Sequence, residues 1–316
     1  MIKLSDFAKK LKSEKDVGII THVRPDGDAI GSALGLSLAL TSLGIKNAVY
    51  CDDVIPKKFS YLKGVENIKN AILSHGAYIA VDCADGMRLG SFEEIFTKAK
   101  NTYNLDHHAT NDRYAKVNYV VDTASNCENV YALAVELGAK IDKDTANCLM
   151  TGLVTDTGNF RHKNVTDETL KTASELLKYG ADLNGIVYKN FNEQSKERAK
   201  LFGRVMSKIR YFYDDKIAVI TVFDKDLLET GALANETEGF IDFVTGISGV
   251  EVSVCLMETA KDTFKVSLRA RRTDVSEVAG VFGGGGHVLA SGCKIHGEYE
   301  EVVDRLVGVI KRYIPE

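Results

Sequence analysis

Short β-rich runs and longer helical patterns alternate through the first half of the chain. Residues 17–21, 48–51, 78–81 and 102–105 read as strands, and helical patterns follow at 29–43 and around 92–100. This order predicts a doubly wound, mainly parallel sheet with helices on its faces, in which ligands collect beyond the carboxyl ends of the strands. Over about 174–210 the pattern turns helical and charged, and NEQSKERAKLFGRVMSKIR reads as a connector helix. Apolar alternation then returns in KIAVITVF, VEVSVCLME and TFKVSLRAR, ahead of a glycine run and a closing helix over 300–312. The expected plan is an α/β domain over 1–190, a helical linker over 191–210 and a smaller α+β domain over 211–316.

Length agrees with that division, since 316 residues exceed the roughly 250–300 at which one core stops growing. Hydrophobic residues at 45% and charged residues at 27% are ordinary for a globular chain in water. No apolar run reaches the roughly 20 residues of a membrane span. The N-terminal MIKLSDFAKKLKSEKD patterns as an amphipathic helix with lysines on its wet side, lacking the apolar core and cleavage site of a secretion signal. A cytoplasmic location is expected. Six cysteines, at 51, 83, 127, 148, 255 and 293, form no C-x-x-C pair, which fits a reducing compartment and argues against a thiolate zinc site. A net charge of −4 and a pI near 6.0 lack the basic excess of proteins that grip long nucleic acid, so a nucleotide partner should be small.

The unusual polar residues fall at the ends of the predicted strands. The first strand runs into His22-Val23-Arg24-Pro25-Asp26-Gly27-Asp28, the strand at 78–81 into Asp82, and the strand at 102–105 into Asp106-His107-His108. Asp156 lies where an apolar stretch ends in a Thr-Asp-Thr-Gly turn. A parallel sheet gathers strand-end groups on one rim, where unpaired carboxylates repel one another and raise each other's pKa; divalent cations between them remove that penalty. Oxygen ligands mixed with imidazole suit manganese, iron or cobalt better than calcium. Pro25 and Gly27 shape a tight loop that lets His22, Asp26 and Asp28 converge. Taken singly, each motif has a plainer alternative: an aspartate after a strand is commonly a turn former or helix cap, and Asp28 before Ala29 fits a cap. Four such elements in chain order favour the metal site.

THVRPDGDAIGSALGL, VDCADGMRLG, NLDHHATND and TGLVTDTGNFRH, with FKVSLRAR and VFGGGGHVLASG in the second half, carry a family pattern. The chain resembles DHH/DHHA1 phosphoesterases over nearly its whole length, most of all the NrnA-like group of bifunctional oligoribonucleases and PAP phosphatases. The resemblance implies one metal held by His22, Asp26 and Asp82, and another held by Asp28, Asp82, His107 and Asp156. Asp82 would bridge both. It also implies that Asp106 steadies His107 and that His108 faces the scissile phosphate. Thr21 and Gly35 stand where relatives often have Asn and Ala, outside the ligand set.

The expected chemistry is hydroxide attack at phosphorus between two divalent ions about 3.5–4 Å apart, with manganese as the metal. Asp82, Asp106 and His108 are the expected catalytic residues, the cation of His108 stabilising developing charge or assisting the leaving oxygen. In the second domain Gly283, Gly284, Gly285 and Gly286 permit close approach of backbone N–H groups to a phosphate or terminal base, and Arg269 and His287 add anion contacts. Arg161 is placed either to reach a phosphate or to sit in solvent. The same choice applies to Arg271 and Arg272. Phe240 and Phe282 are candidate stacking residues, while His75, His162 and His296 read as surface or structural. Substrate held in a cleft between the domains would favour short molecules processed from an end.

These expectations name a phosphodiesterase that hydrolyses short oligoribonucleotides (nanoRNA, pApA-like molecules) to nucleoside 5′-monophosphates. The same resemblance implies removal of the 3′-phosphate of adenosine 3′,5′-bisphosphate. Cleavage of cyclic di-AMP is the alternative enzyme, and a non-catalytic nucleotide-binding module the alternative of another class. Loss of a ligand would mark the module, and all six candidate ligands are present. The GGGGH signature points away from an inorganic pyrophosphatase, and the length away from a RecJ-like exonuclease. The expected partner is a short nucleotide, with neither long nucleic acid nor membrane; a homodimer is a family-level expectation.

Overall fold

The computed structural model describes residues 2–314, and the chain divides after Glu193 into two compact units. In the first unit α1 (Leu4–Lys12) precedes β1 (Asp16–Ile20), α2 (Gly27–Ser42), β2 (Lys46–Tyr50), β3 (Ala77–Val81), α3 (Glu93–Lys98), β4 (Thr102–Asp106) and β5 (Val117–Val120). Then come α4 (Asn126–Leu137), α5 (Lys143–Asp156), α6 (Asp167–Lys178) and α7 (Leu183–Val187). The strands are all parallel in the order β2-β1-β3-β4-β5, the doubly wound plan expected. Chain order reverses between β1 and β3, so the loops leaving these strands diverge and open a crevice at their carboxyl ends.

α2 starts earlier than its apolar pattern suggests. Asp26 caps it, Oδ1 accepting from the N–H groups of Asp28 (3.1 Å) and Ala29 (3.0 Å), so Asp28 occupies the first turn rather than the cap. Gly27, Gly31 and Gly35 recur every fourth residue on the side facing α5. A Cβ on Gly31 would strike the Cys148 carbonyl, one on Gly35 the Leu149 side chain, and one on Gly27 Thr155. From the opposite helix, a Cβ on Gly152 would strike the Cys127 sulfur and Asp28. The two helices therefore meet backbone to backbone, which carries Asp28 toward Asp156 at the last turn of α5. The turn after α5 has positive φ at Gly158, Asn159 and Phe160. His75 is structural: its Nδ1 lies 2.7 Å from Asp16 Oδ1 and its Nε2 2.7 Å from the Tyr50 hydroxyl.

The second unit contains α8 (Lys196–Met206), β6 (Arg210–Phe212), β7 (Ile217–Val222), α9 (Asp224–Thr230), α10 (Phe240–Thr245) and β8 (Val252–Ala260). It continues with β9 (Thr263–Ala270), α11 (Val275–Val281), β10 (Gly285–His287), β11 (Ala290–His296) and α12 (Tyr299–Ile310). Its sheet runs β10-β11-β9-β8-β7-β6 and is mixed, β7 and β8 being the parallel pair. Alternation along β9 sends Phe264, Val266 and Leu268 into a core with α11 and α12 and leaves Lys265, Ser267 and Arg269 on the other face. The segment read from sequence as a connector supplies α8, whose Leu201 and Val205 are buried in one cluster with Ile220 and Phe240. Phe240 is fully buried, so it is core and not a stacking platform.

Asp226 on α9 is fully buried and accepts from the Phe223 N–H (3.2 Å), Arg204 Nε (2.5 Å) and Lys208 Nζ (3.3 Å). Burial raises its pKa, but those donors outweigh it and hold the carboxyl below the usual carboxylate range. The stability it contributes is present above its unfolded pKa, about 3.9, and is lost as pH falls through the lower folded value. Asp226→Asn should cost about 1–3 kcal/mol at pH 7 and much less near pH 2. Urea unfolding followed by circular dichroism at both pH values checks this; an equal cost at both would contradict it. Among the described residues no helix is long and apolar enough to cross a membrane, and all six cysteines are free.

Candidate metal centre

His22, Asp26, Asp28, Asp82, His107 and Asp156 come together at the strand ends. Their ligand atoms form groups whose members all lie within 4.8 Å of one another: His22 with Asp26 and Asp82, Asp28 with His107 and Asp156, and Asp82 with His107 and His108. Asp82 leaves β3 in a left-handed turn (φ 53°), with its N–H on the Leu105 carbonyl at 3.1 Å. Aspartate enters that region more readily than most side chains. Its Oδ2 lies 3.7 Å from His22 Nε2 and its Oδ1 3.4 Å from His107 Nε2.

Both imidazoles are held from behind. His22 Nδ1 sits 2.8 Å from the Val23 carbonyl and His107 Nδ1 2.9 Å from the Thr123 carbonyl. A carbonyl only accepts, so His107 Nδ1 carries the proton and, in the neutral ring, its Nε2 lone pair faces the carboxylates; His22 Nδ1 has both the Val23 carbonyl and the Arg88 guanidinium beside it. His107 Nε2 is also 3.6 Å from Asp156 Oδ2 and 3.9 Å from Asp28 Oδ2. Such separations are long for hydrogen bonds and suit ligands arranged about an ion. Arg88 Nη2 lies 3.2 Å from His22 Nδ1.

The electrostatics agree with a cation site. Burial, then the charge of Asp82, pushes Asp28 up to about 6. Burial, then the charges of Asp28 and Asp82, pushes Asp156 up to about 9. Burial opposes the His107 imidazolium, but Asp82 and Asp28 prevail and draw that ring up to about 10. Burial would raise Asp82, but the neighbouring His107 and His22 rings prevail and hold it below the usual range. Asp82 Oδ1 is buried without a hydrogen-bond partner among the described residues, as expected of an oxygen meant for a cation. The oxygen-and-imidazole donor set thus fits divalent metal.

Asp28 is fully buried at the start of α4, where Oδ1 accepts from Ser125 Oγ (2.7 Å) and the Cys127 N–H (3.0 Å) and Oδ2 from the Asn126 N–H (2.6 Å). The helix N-terminus offers these donors and a favourable dipole. Sequence reasoning missed this cradle; the signal was Ser125-x-x-Glu128, a capping-box spacing. Glu128 Oε1 accepts from the Ala124 N–H at 3.1 Å.

Asp106 corrects another expectation. It orients His108, not His107: Oδ1 accepts from His108 Nδ1 at 2.9 Å, while Oδ2 accepts from Asn111 Nδ2 at 2.7 Å. His107 turns instead to the Thr123 carbonyl, which aims its Nε2 into the cluster. The Asp106 bond, partly offset by burial, raises the His108 pKa.

The residues expected to bind substrate are less concentrated. Arg161 is exposed, its Nε on the Gly158 carbonyl (2.8 Å) and its guanidinium 5.9 Å from the Phe191 ring. Arg269 lies 3.6 Å from Asp242 on the open face of the second sheet, lining a cavity of about 370 Å³ with Lys265 and Ser267. The glycine run is not the free cradle expected. The N–H groups of Gly283 and Gly284 are engaged by the carbonyls of Gly280 and Ala279, and Gly285, Gly286 and His287 form strand β10. Gly284 and Gly286 are required for packing, since a Cβ on either would strike β11. His287 is exposed on that strand. Arg271 bonds the carbonyls of Thr245 and Ile247, and Arg272 pairs with Glu251, so both serve the fold.

Residues 16–153 match the DHH family, N-terminal domain, and residues 214–316 match the DHHA1 domain. A bifunctional oligoribonuclease and PAP phosphatase NrnA of Thermus thermophilus is 33% identical, over 98% of this chain and 94% of its own. The protein of the same name from Bacillus subtilis is 28% identical, over 87% of this chain and 88% of its own. The crystal structure of an exopolyphosphatase-related protein from Bacteroides fragilis superposes with a TM-score of 0.81 at 28% identity, covering 98% of this chain and 96% of that one.

Proposed function

From the premise that this chain belongs to the DHH family, carries a DHHA1 domain and hydrolyses phosphoester bonds, we propose that it cleaves short oligoribonucleotides to nucleoside 5′-monophosphates. The proposal extends to dephosphorylation of adenosine 3′,5′-bisphosphate, the second activity in the relatives' names. The observation that carries it is the pair of ligand groups meeting at Asp82, one carboxylate oxygen toward each. Divalent ions bound there, manganese being the expected metal, would supply an activated water and neutralise phosphate charge. His22, Asp26 and Asp82 would hold one ion; Asp28, Asp82, His107 and Asp156 the other.

The protein's own part is positioning and proton transfer. Asp106 fixes the His108 ring through Nδ1 and leaves Nε2 to assist a leaving oxygen. Exposed Arg161 and His287 and half-buried Arg269 are the candidate phosphate contacts. His108→Asn should lower kcat by about 10²–10³-fold with metal uptake unchanged. Turnover within threefold of wild type would remove His108 from the mechanism.

A manganese-dependent assay tests the reading on pApA, longer oligoribonucleotides, cyclic di-AMP, adenosine 3′,5′-bisphosphate and pyrophosphate. Cleavage of pApA and the short oligoribonucleotides is expected. Hydrolysis of pyrophosphate alone, or of cyclic di-AMP in preference to pApA, would overturn the substrate class. Binding without any cleavage would make the chain a nucleotide-binding module.

A further inference from the structure

The two ligand groups are supported differently. Asp28, His107 and Asp156 all lean on one short segment between β5 and α4. Ser125 Oγ and the N–H groups of Asn126 and Cys127 hold Asp28, and the Thr123 carbonyl holds His107 Nδ1. Asn164 Nδ2 ties the Ala124 carbonyl (3.0 Å) to the Asp156 carbonyl (3.3 Å). Asn129 Nδ2 braces the segment from within, reaching the carbonyls of Val121 (3.0 Å) and Asp106 (3.3 Å). Glu128 accepts from Thr169 Oγ1 at 3.0 Å and pins the segment to α6.

His22 and Asp26 lean elsewhere. His22 is set by the Val23 carbonyl, and Asp26 by the first turn of α2. Neither makes a hydrogen bond to residues 121–129 among those the structure describes. Asp82 is the shared member, fixed by its own backbone turn and the Leu105 carbonyl.

Resting on the two-ion reading above, we infer that Ser125 and Asn164 are positioning residues for one ion only, the one held by Asp28, His107 and Asp156. The two positions are therefore separable. Loosening the 121–129 segment weakens this ion while the ion at His22 and Asp26 stays bound. Groups that hydrogen-bond the ligands of a metal commonly set its affinity by about 10–100-fold, the range expected here.

Manganese titration of the metal-free full chain by calorimetry, with low-temperature electron paramagnetic resonance to detect coupled Mn²⁺ pairs, provides the test. Wild type should take up two ions and show the coupled signal. Ser125→Ala and Asn164→Ala should each weaken one binding step by at least about tenfold. The other step should stay within twofold, and isolated-ion spectra should replace the coupled one. Asn164 is exposed, so its variant should fold even if Ser125→Ala, which also removes the α4 cap, does not. Ser125→Thr, which keeps the hydroxyl, should restore the second step. Equal weakening of both steps, or of neither, overturns this inference. A wild type that binds no second ion overturns the two-ion reading itself, so the two failures are distinct.

Discussion

Asp82→Asn should abolish metal-dependent turnover, by at least about 10³-fold or about 4 kcal/mol in activation free energy. A carboxamide keeps the size of the side chain but lacks the charge and second acceptor oxygen that let Asp82 face both His22 and His107. Asparagine is the informative choice because the backbone at this position is left-handed, a conformation it enters as easily as aspartate. Alanine would mix lost chemistry with backbone strain. The variant should retain the wild-type far-ultraviolet spectrum while losing the rise in Tm that added manganese gives wild type by mass action. Turnover within tenfold of wild type, with the thermal shift intact, would remove Asp82 from the bridging role.

The second large effect is expected from Gly152→Val, which touches no substrate. Gly152 lies where α5 meets α2, and a side chain there would meet the Cys127 sulfur and Asp28 at once. Overpacking of this kind costs about 1–3 kcal/mol. Because the displaced group is a proposed metal ligand, a shift of about 1 Å is expected to lower turnover roughly 100-fold more. Gly203→Ala on α8 is the control, since a Cβ there meets nothing within 4 Å and should stabilise that helix by up to about 1 kcal/mol. Denaturant midpoints and manganese titrations of both variants decide the matter. A Gly152→Val protein with wild-type metal affinity would show that the seam between α2 and α5 does not set the position of Asp28.

The architecture and the convergence of the candidate ligands were legible because their signals are local. Strands β1, β3 and β4 end on unusual residues, and the fully buried β3 reads as an apolar run whatever surrounds it. What escaped depends on contacts distant in sequence. Ser125, Asn126 and Cys127 act through a hydroxyl and backbone N–H groups, nearly 100 residues from the carboxylate they hold. The partner of Asp106 was misassigned because His107 and His108 are equally near in sequence, and only the Thr123 carbonyl decides which ring turns away. Glycine spacing in α2 was visible, but its meaning required the helix that packs on it. The run Gly283 to Gly286 suggested an open loop because glycine is permissive, whereas two of its members are small so that β11 can lie against them.

The second sheet has short margins: β6 and β10, three residues each, flank the longer strands. Sheet edges are where separate molecules pair and aggregate, and brief edges give a neighbouring chain little to extend. The glycine hairpin thus acts as a hem. Cutting away Gly285–His287 would bare the seven-residue β11, giving the chain a longer edge that recruits its own copies at high concentration.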